Sequence, residues 1–102
     1  RKANLRGADL TGADLKDVKL KGAILCHTTM PDGKKVYSNC KNVNLTETDL
    51  KFANLVGANL VGANLAGASL VGANLTRTNL AGANLAGANL TGSNIEGGTT
   101  PY

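Results

Sequence analysis

Residues 53–75 read ANLVGANLVGANLAGASLVGANL, and this stretch decides the fold. A leucine stands at nearly every fifth residue, and throughout the chain every leucine falls at a residue number divisible by five. A small residue, usually Ala, precedes each leucine by two positions, and Asn or Asp usually stands between them. Gly commonly follows the leucine by two positions. The repeating unit is therefore Ala-Asn/Asp-Leu-X-Gly, where X varies.

A period of five fits neither an α-helix nor a long β-strand, whose side chains repeat about every 3.6 and 2.0 residues. Ala and Leu of one unit are two residues apart, so in a short extended piece they share one face while Asn points away. Gly then permits a corner. Four units predict a square coil of about 20 residues with Ala and Leu inside, and about five such coils stacked about 4.8 Å apart. We also expect the asparagines of successive coils to form amide ladders.

Length and composition limit the alternatives. A chain of 102 residues and 10.4 kDa is predicted to form a single domain over residues 1–102. Aromatic residues make up 3% of it, which excludes a core of large rings. No apolar run approaches the roughly 18 residues of a membrane span, and no leader resembles a signal peptide. Because the repeat is already running at Arg1, we expect that an N-terminal cap or leader precedes this chain or has been removed.

The unit Ala3-Asn4-Leu5-Arg6-Gly7 and its successors resemble the tandem motif of pentapeptide-repeat proteins, over residues 1–30 and 38–96. The resemblance implies an all-β fold, a right-handed quadrilateral parallel β-helix with the leucine of each unit pointing inward. The handedness rests on the resemblance and on the general bias of parallel crossovers. The family is abundant in cyanobacteria, where most members have no assigned biochemical activity.

The pattern lapses between Leu25 and Leu45. Pro31-Asp32-Gly33 predicts a turn, because Pro fixes one backbone torsion and Gly accepts a positive one. Lys35 stands at a nominal leucine position, where it would bring an unpaired charge into the apolar interior. We therefore predict an insert loop that projects from a corner. As a candidate interaction loop it comprises Pro31, Asp32, Gly33, Lys34, Lys35, Val36 and Tyr37.

Cys26 and Cys40 bracket this segment and are a candidate disulfide. If both flanking repeats are regular, Cys40 points inward and Cys26 points outward, too far apart to bond. A bond requires both to lie at the neck of the loop. A disulfide would indicate an oxidising compartment such as a periplasm or thylakoid lumen, and free thiols would indicate a cytoplasm.

The chemistry-bearing residues do not predict an enzyme. His27 is the only histidine, and an adjacent Cys26 does not give the spatial arrangement that nucleophilic catalysis needs. Two cysteines and one histidine would need Asp32 or water to complete a zinc site, and their spacing matches no known zinc module. A leucine-filled solenoid offers no cavity. We predict no catalytic residues, no metal and no cofactor.

The charges are unevenly distributed. The chain has 11 Lys and Arg against 7 Asp and Glu, and nearly all of the basic residues lie in its first half. Such a patch could bind nucleic acid or an anionic surface. Interleaved aspartates and the scarcity of aromatic stacking partners instead favour a solvated mixed face. The basic residues concerned are Arg1, Lys2, Arg6, Lys16, Lys19, Lys21, Lys34, Lys35, Lys41 and Lys51.

The ends of a β-helix expose unpaired backbone, so end-to-end association into a homo-oligomer is expected. The leading prediction is a non-enzymatic structural or protein-interaction module that binds an unidentified protein partner through its loop and outward faces. Two alternatives stay open. One is binding of nucleic acid or an anionic surface through the basic first half, and the other is a redox response through Cys26 and Cys40.

Overall fold

The computed structural model of the protein describes residues 3–101. No α-helix is present among them, and the only strands longer than one residue are β1, Thr28–Thr29, and β2, Lys35–Val36. The rest of the chain consists of short extended pieces joined by turns and paired through isolated parallel β-bridges. This arrangement is a β-helix-like solenoid.

The described chain divides into two compact units, Arg1–Asn39 and Cys40–Tyr102. We call them the N-terminal unit and the C-terminal unit and describe each by itself. A single domain over residues 1–102 stays a prediction.

The C-terminal unit shows the period of the winding. Asn44 pairs with Asn64, and Asn64 pairs with Asn84, so each residue lies beside its equivalent four repeat units further along. Three further columns have the same spacing: 49, 69, 89; 54, 74, 94; and 59, 79, 99. One turn therefore has four sides, one for each repeat unit, as the sequence predicts.

Hydrogen bonds join each turn to the turns on either side. In the unit of residues 64–68, the Asn64 N–H donates to the Val43 C=O at 3.0 Å, and the Leu65 N–H donates to the Asn84 C=O at 2.7 Å. The N–H of the corner glycine donates to the Ala86 C=O at 2.8 Å. Buried backbone groups require partners, and here the adjacent turns supply them.

The corners are closed by two local hydrogen bonds. The Ala68 N–H donates to the Leu65 C=O at 2.9 Å, and Gly67 between them has a φ of 71°, as residue i+2 of a type II turn requires. The Ala66 N–H donates to Oδ1 of Asn64 at 3.1 Å. The same asparagine-to-backbone bond recurs in most repeats, while the expected asparagine ladders stay a prediction. The amide oxygen satisfies a corner N–H two residues further along.

Leucine side chains fill the interior of the C-terminal unit. Seven consecutive leucines are at most 1% exposed, and small residues, mostly Ala, pack beside them. These leucines are Leu50, Leu55, Leu60, Leu65, Leu70, Leu75 and Leu80. Phe52 and Val56 lie at the corners and are 78% and 40% exposed, which confirms that these positions face outward.

The N-terminal unit begins with the same winding and then departs from it. Asn4 pairs with Ile24 and Asp9 pairs with Thr29, both in parallel and again four repeat units apart. Strand β2 then pairs with β1 in the antiparallel direction, with Thr29 opposite Lys35. The chain therefore turns back on itself, and the regular winding of this unit stops after about residue 31.

Candidate interaction surface

The interruption of the repeat folds as a β-hairpin. The Met30 N–H donates to the Lys34 C=O and the Gly33 N–H donates to the Met30 C=O, both at 2.8 Å. Oδ1 of Asp32 accepts the Lys34 N–H at 3.0 Å, and Gly33 has a φ of 84°. The turn at Pro31-Asp32-Gly33 is thus confirmed, while two of the residues predicted as loop belong to β2.

Strand β1 is shared between the winding and the hairpin. The Thr29 N–H donates to the Ala8 C=O at 2.9 Å, and the Leu10 N–H donates to the Thr29 C=O at 2.8 Å. On the other side Thr29 faces Lys35, whose Nζ donates to Oγ1 of Thr29 at 3.0 Å. The Lys35 ammonium therefore stays outside the apolar interior.

Four residues at the tip of the hairpin are exposed: Asp32, Gly33, Lys34 and Lys35. Pro31 and Val36 are half-buried. The prediction that Tyr37 projects with the loop needs correction, because this side chain is only 8% exposed. Within the predicted loop, residues 31–37, the surface that a partner could contact therefore lies mainly on residues 32–35.

Tyr37 and His27 form the base of the hairpin. Their rings stack with centroids 5.8 Å apart and planes 17° from parallel. His27 adopts a φ of 58° at a corner position usually occupied by Gly. The imidazole of His27 therefore packs against the buried ring of Tyr37. This contact indicates that His27 helps to hold the base of the hairpin together.

Both cysteines, Cys26 and Cys40, are disulfide-bonded and have no exposed surface. Regular repeats on both sides, the condition under which Cys26 and Cys40 would lie too far apart to bond, are therefore not present here. The Leu25 N–H donates to the Ser38 C=O at 3.1 Å, so the segment returning from the hairpin runs beside the turn that holds Cys26. A regular repeat could not cover that position.

The returning segment does not form a repeat unit of its own. Asn39 has a φ of 64°, and its Nδ2 donates to the Ala23 C=O at 2.6 Å. In a regular unit Asn39 would be extended and paired with a residue of the adjacent turn, and the resemblance over residues 38–96 implies such a unit at Ser38-Asn39-Cys40. The left-handed conformation of Asn39 excludes that pairing.

Asp9 has the one clearly displaced pKa among the described residues. The Thr11 hydroxyl donates to Oδ1 of Asp9 at 2.5 Å, and the Thr11 N–H donates to the same atom at 3.0 Å. These two bonds, with a smaller contribution from the charge of Lys35, lower the pKa of Asp9, against a weak opposing effect of burial. Asp9 therefore behaves as a solvated structural carboxylate, unsuited to general acid catalysis near neutral pH.

A candidate metal site is also not found within residues 3–101. No cluster of three or more His, Cys, Asp or Glu within that range could hold a metal ion. An open groove of about 510 Å³ lies against the last turn of the C-terminal unit. Its lining contains no titratable side chain and consists of Ala83, Asn84, Leu85, Ala86, Ala88, Leu90 and Pro101.

The predicted basic face is exposed wherever the structure describes it. Arg1 and Lys2 lie outside the described residues, and the other eight members are solvent-exposed: Arg6, Lys16, Lys19, Lys21, Lys34, Lys35, Lys41 and Lys51. Asp9, Asp14 and Asp17 lie in the same region and are exposed as well. The surface thus carries both signs of charge.

The four-sided winding agrees with the comparison to known families. The model of Pentapeptide repeats matches in 8 copies, over residues 1–30, 36–60 and 58–97. The chain belongs to the pentapeptide-repeat family. Proteins of this family typically have structural or protein-interaction roles.

Two solved structures of cyanobacterial pentapeptide-repeat proteins are similar to it. Rfr23 from Cyanothece 51142 is 41% identical over 91% of this chain and 56% of its own, with a TM-score of 0.45. HetL from Nostoc sp. strain PCC 7120, a protein involved in heterocyst differentiation regulation, is 29% identical over 99% of this chain and 54% of its own, with a TM-score of 0.31. This chain therefore spans little more than half the length of either. No curated protein matches it.

None of the described residues forms a helix long and apolar enough to cross a membrane.

Sequence reasoning missed the reversal after the turn at residue 33. Its signal was weak, because a single lysine at a leucine position shows that the winding is interrupted without showing where the chain goes next. The direction of β2 depends on hydrogen bonds to β1, which leave no periodic mark in the sequence.

Proposed function

We propose that this pentapeptide-repeat protein is a non-enzymatic structural or protein-interaction module. The observation that carries the proposal is the filling of the interior by leucines that are at most 1% exposed from Leu50 to Leu80. Such an interior leaves no internal site for a substrate. Recognition then falls to the outer surface, where side chains vary from one repeat to the next.

The exposed tip of the hairpin, residues 32–35, is the part of the proposed contact surface that departs most from the repeat. Its turn is held by backbone bonds between Met30, Gly33 and Lys34, so it presents Lys34 and Lys35 in a defined geometry. A preorganised turn loses little conformational freedom on binding, which favours affinity. We expect an acidic or polar surface on the protein partner.

The test compares partner capture by three forms of the chain. One is unchanged, one carries Lys34→Ser with Lys35→Ser, and the matched control carries Lys41→Ser with Lys51→Ser. Asp32 and Gly33 are kept so that the turn still forms. The proposal predicts a partner that is lost with the first pair and retained with the second. Equal capture by all three forms would remove the hairpin from the contact surface, and a turnover activity in the purified chain would overturn the non-enzymatic assignment.

The finer features of the architecture belong to the same proposal. We propose right-handed winding, about five coils in total, a single domain over residues 1–102 and end-to-end association of copies. Association is proposed on general grounds, since unpaired β-edges favour pairing with another chain. Sedimentation equilibrium over a wide concentration range tests it, and a strict monomer would contradict it.

The two alternatives carry different support. Both cysteines are bonded and wholly buried, which argues against rapid thiol exchange and so against a redox response. The same bond favours an oxidising compartment, such as a periplasm or thylakoid lumen.

Nucleic-acid binding through the basic residues of the first half predicts affinity that falls steeply with salt. Duplex DNA titrated at two salt concentrations tests it.

A further inference from the structure

Three threonines at the X position of the repeat follow an asparagine by two residues. The triplet Asn-Leu-Thr therefore occurs three times, beginning at Asn44, Asn74 and Asn89. Asn-Leu-Thr is one form of the acceptor sequence for N-linked oligosaccharides, in which the middle residue is any except Pro, and its use requires a surface site. All three asparagines are exposed, and all lie in the C-terminal unit. The triplets thus stand in the structural context that this modification needs.

The side chain of Asn74 is oriented with its nitrogen outward. Oδ1 of Asn74 accepts two hydrogen bonds from Thr76, one from the N–H at 3.1 Å and one from the hydroxyl at 2.5 Å. With Oδ1 held at the corner, Nδ2 makes no hydrogen bond to the part of the chain that the structure describes. The atom that would carry a sugar is therefore accessible to an enzyme.

Asn89 repeats this arrangement on the neighbouring side of the winding. Its Oδ1 accepts the Thr91 N–H at 3.0 Å and the Thr91 hydroxyl at 2.6 Å. At Asn44 the Thr46 N–H donates to Oδ1 at 3.0 Å. The threonine hydroxyl of the triplet thus contacts the asparagine side chain at Asn74 and at Asn89.

This contact favours chemistry at Nδ2. A carboxamide nitrogen is a weak nucleophile, because its lone pair is delocalised onto the carboxamide oxygen. When Nδ2 loses a proton, negative charge develops on Oδ1, and the two donors of Thr76 stabilise that charge. Without the hydroxyl, Oδ1 would keep one of these two donors.

We propose that Asn74 and Asn89 are acceptor sites for N-linked glycosylation. The donor is an oligosaccharide linked to a lipid pyrophosphate. Nδ2 bonds to the anomeric carbon of the first sugar, the bond from that carbon to the phosphate oxygen breaks, and the lipid pyrophosphate leaves with the electron pair. The proton lost from Nδ2 passes to a basic group of the transferring enzyme.

The fold accommodates an oligosaccharide at both sites. After transfer, Oδ1 still accepts the corner N–H, and the sugar extends from an exposed side chain into solvent. The bonded cysteines favour an oxidising compartment, as secreted glycoproteins require. The inference does not depend on the proposed protein-interaction role. Oligosaccharides at both sites would cover two of the four sides of the C-terminal unit.

The experiment incubates the folded full chain with purified oligosaccharyltransferase and a disaccharide of N-acetylglucosamine linked to a lipid pyrophosphate. The blocked peptide Ala-Asn-Leu-Thr-Gly is the positive control for enzyme and donor. Thr76→Val removes the hydroxyl and nearly keeps the side-chain shape, Thr76→Ser keeps a hydroxyl, and Ala86→Thr creates the same triplet at Asn84. Peptide mass mapping identifies the modified asparagines, and circular dichroism verifies that each variant is folded.

The proposal predicts one disaccharide on Asn74 and one on Asn89 in the unchanged chain. Thr76→Val should abolish modification of Asn74 and leave that of Asn89 unchanged, whereas Thr76→Ser should retain both. Asn79 is exposed but has no hydroxyl residue two positions later, so it should stay unmodified.

The variant Ala86→Thr should add a modified site at Asn84. This asparagine is exposed, and its Oδ1 already accepts the N–H of residue 86 at 3.0 Å. A new site there would show that the corner geometry together with the hydroxyl is sufficient for transfer.

The proposal would be overturned if the control peptide were modified while the chain were not. Transfer to Asn74 that survives Thr76→Val at full extent would do the same, as would equal transfer to Asn79. Transfer to the chain only after denaturation would also contradict it, because the folded corner would then fail to present Nδ2.

Discussion

The Thr78 hydroxyl donates a hydrogen bond of 2.6 Å to the Leu55 C=O, in the middle of the C-terminal unit. The N-terminal unit contains its counterpart, in which the Thr28 hydroxyl donates to the Leu5 C=O at 2.7 Å. Both threonines stand at the small inward position and are wholly buried. The repeat therefore accepts a polar side chain in its interior when the adjacent turn supplies an acceptor.

Replacing Thr78 by the nearly isosteric Val tests this bond. Thr78→Val should lower the free energy of unfolding by about 1 kcal/mol, the usual net worth of a buried hydrogen bond. The Leu55 C=O retains the Ala58 N–H at 2.9 Å, so no acceptor is left unpaired. Chemical denaturation measures the loss. The control is Thr46→Val at an exposed site, and an equal loss there would show that the Thr78 hydroxyl contributes nothing specific.

Ser69 breaks the asparagine pattern, and its hydroxyl oxygen is buried without a hydrogen-bond partner. In the neighbouring repeat, Oδ1 of Asn74 accepts the Thr76 N–H at 3.1 Å. Ser69→Asn should supply the same acceptor to the Val71 N–H and stabilise the protein by about 1 kcal/mol. Asn74→Ser should destabilise it by a similar amount. Thermal unfolding of both variants checks the pair, and a destabilised Ser69→Asn would contradict the capping role of these asparagines.

Phe52 holds a φ of 59° at a corner, a conformation that costs a side-chain residue about 1 kcal/mol relative to Gly. Its ring lies over Gly72, where a Cβ would come within 2.6 Å of two ring carbons. Because the side chain is largely exposed, Phe52→Gly should raise the melting temperature. Val56→Gly, at a corner residue without positive φ, should lower it. A lower melting temperature for Phe52→Gly would show that ring packing outweighs the backbone strain.

The lowered pKa of Asp9 predicts a defined pH dependence. A carboxylate whose pKa is depressed on folding stabilises the protein above the unfolded pKa of about 4 and loses that contribution as the pH falls through the folded value. Thr11→Val should raise the pKa of Asp9, since the Thr11 hydroxyl is its largest cause. Lys35→Ser should raise it less. Carboxyl NMR titration measures both, and a larger effect of Lys35→Ser would reverse the assigned order of causes.

The winding of the repeats could be predicted because its causes are local. Leucine recurs in the role of Leu65 and glycine commonly recurs in the role of Gly67, and four such units separate a residue from its bridge partner. The asparagine caps could be predicted by the same reasoning, because the bond is local. Oδ1 of Asn64 accepts the N–H of Ala66, only two residues further along the chain. Amide ladders would instead require contact between turns.

The hairpin and the buried Cys26 could not be predicted in this way. Each depends on where the chain goes after Gly33, and that path is set by pairing between β1 and β2 and by the bond from Leu25 to Ser38.

The central claim is that the leucines face the interior of a four-sided winding, with the X residues outside. Parallel denaturation of Leu65→Lys and Val56→Lys tests it most directly. Leu65 has no exposed surface and Val56 is 40% exposed. Burying an unpaired ammonium should cost Leu65→Lys at least about 4 kcal/mol, while Val56→Lys should change stability by less than about 0.5 kcal/mol. Equal stability of the two variants, or greater damage from Val56→Lys, would contradict the account.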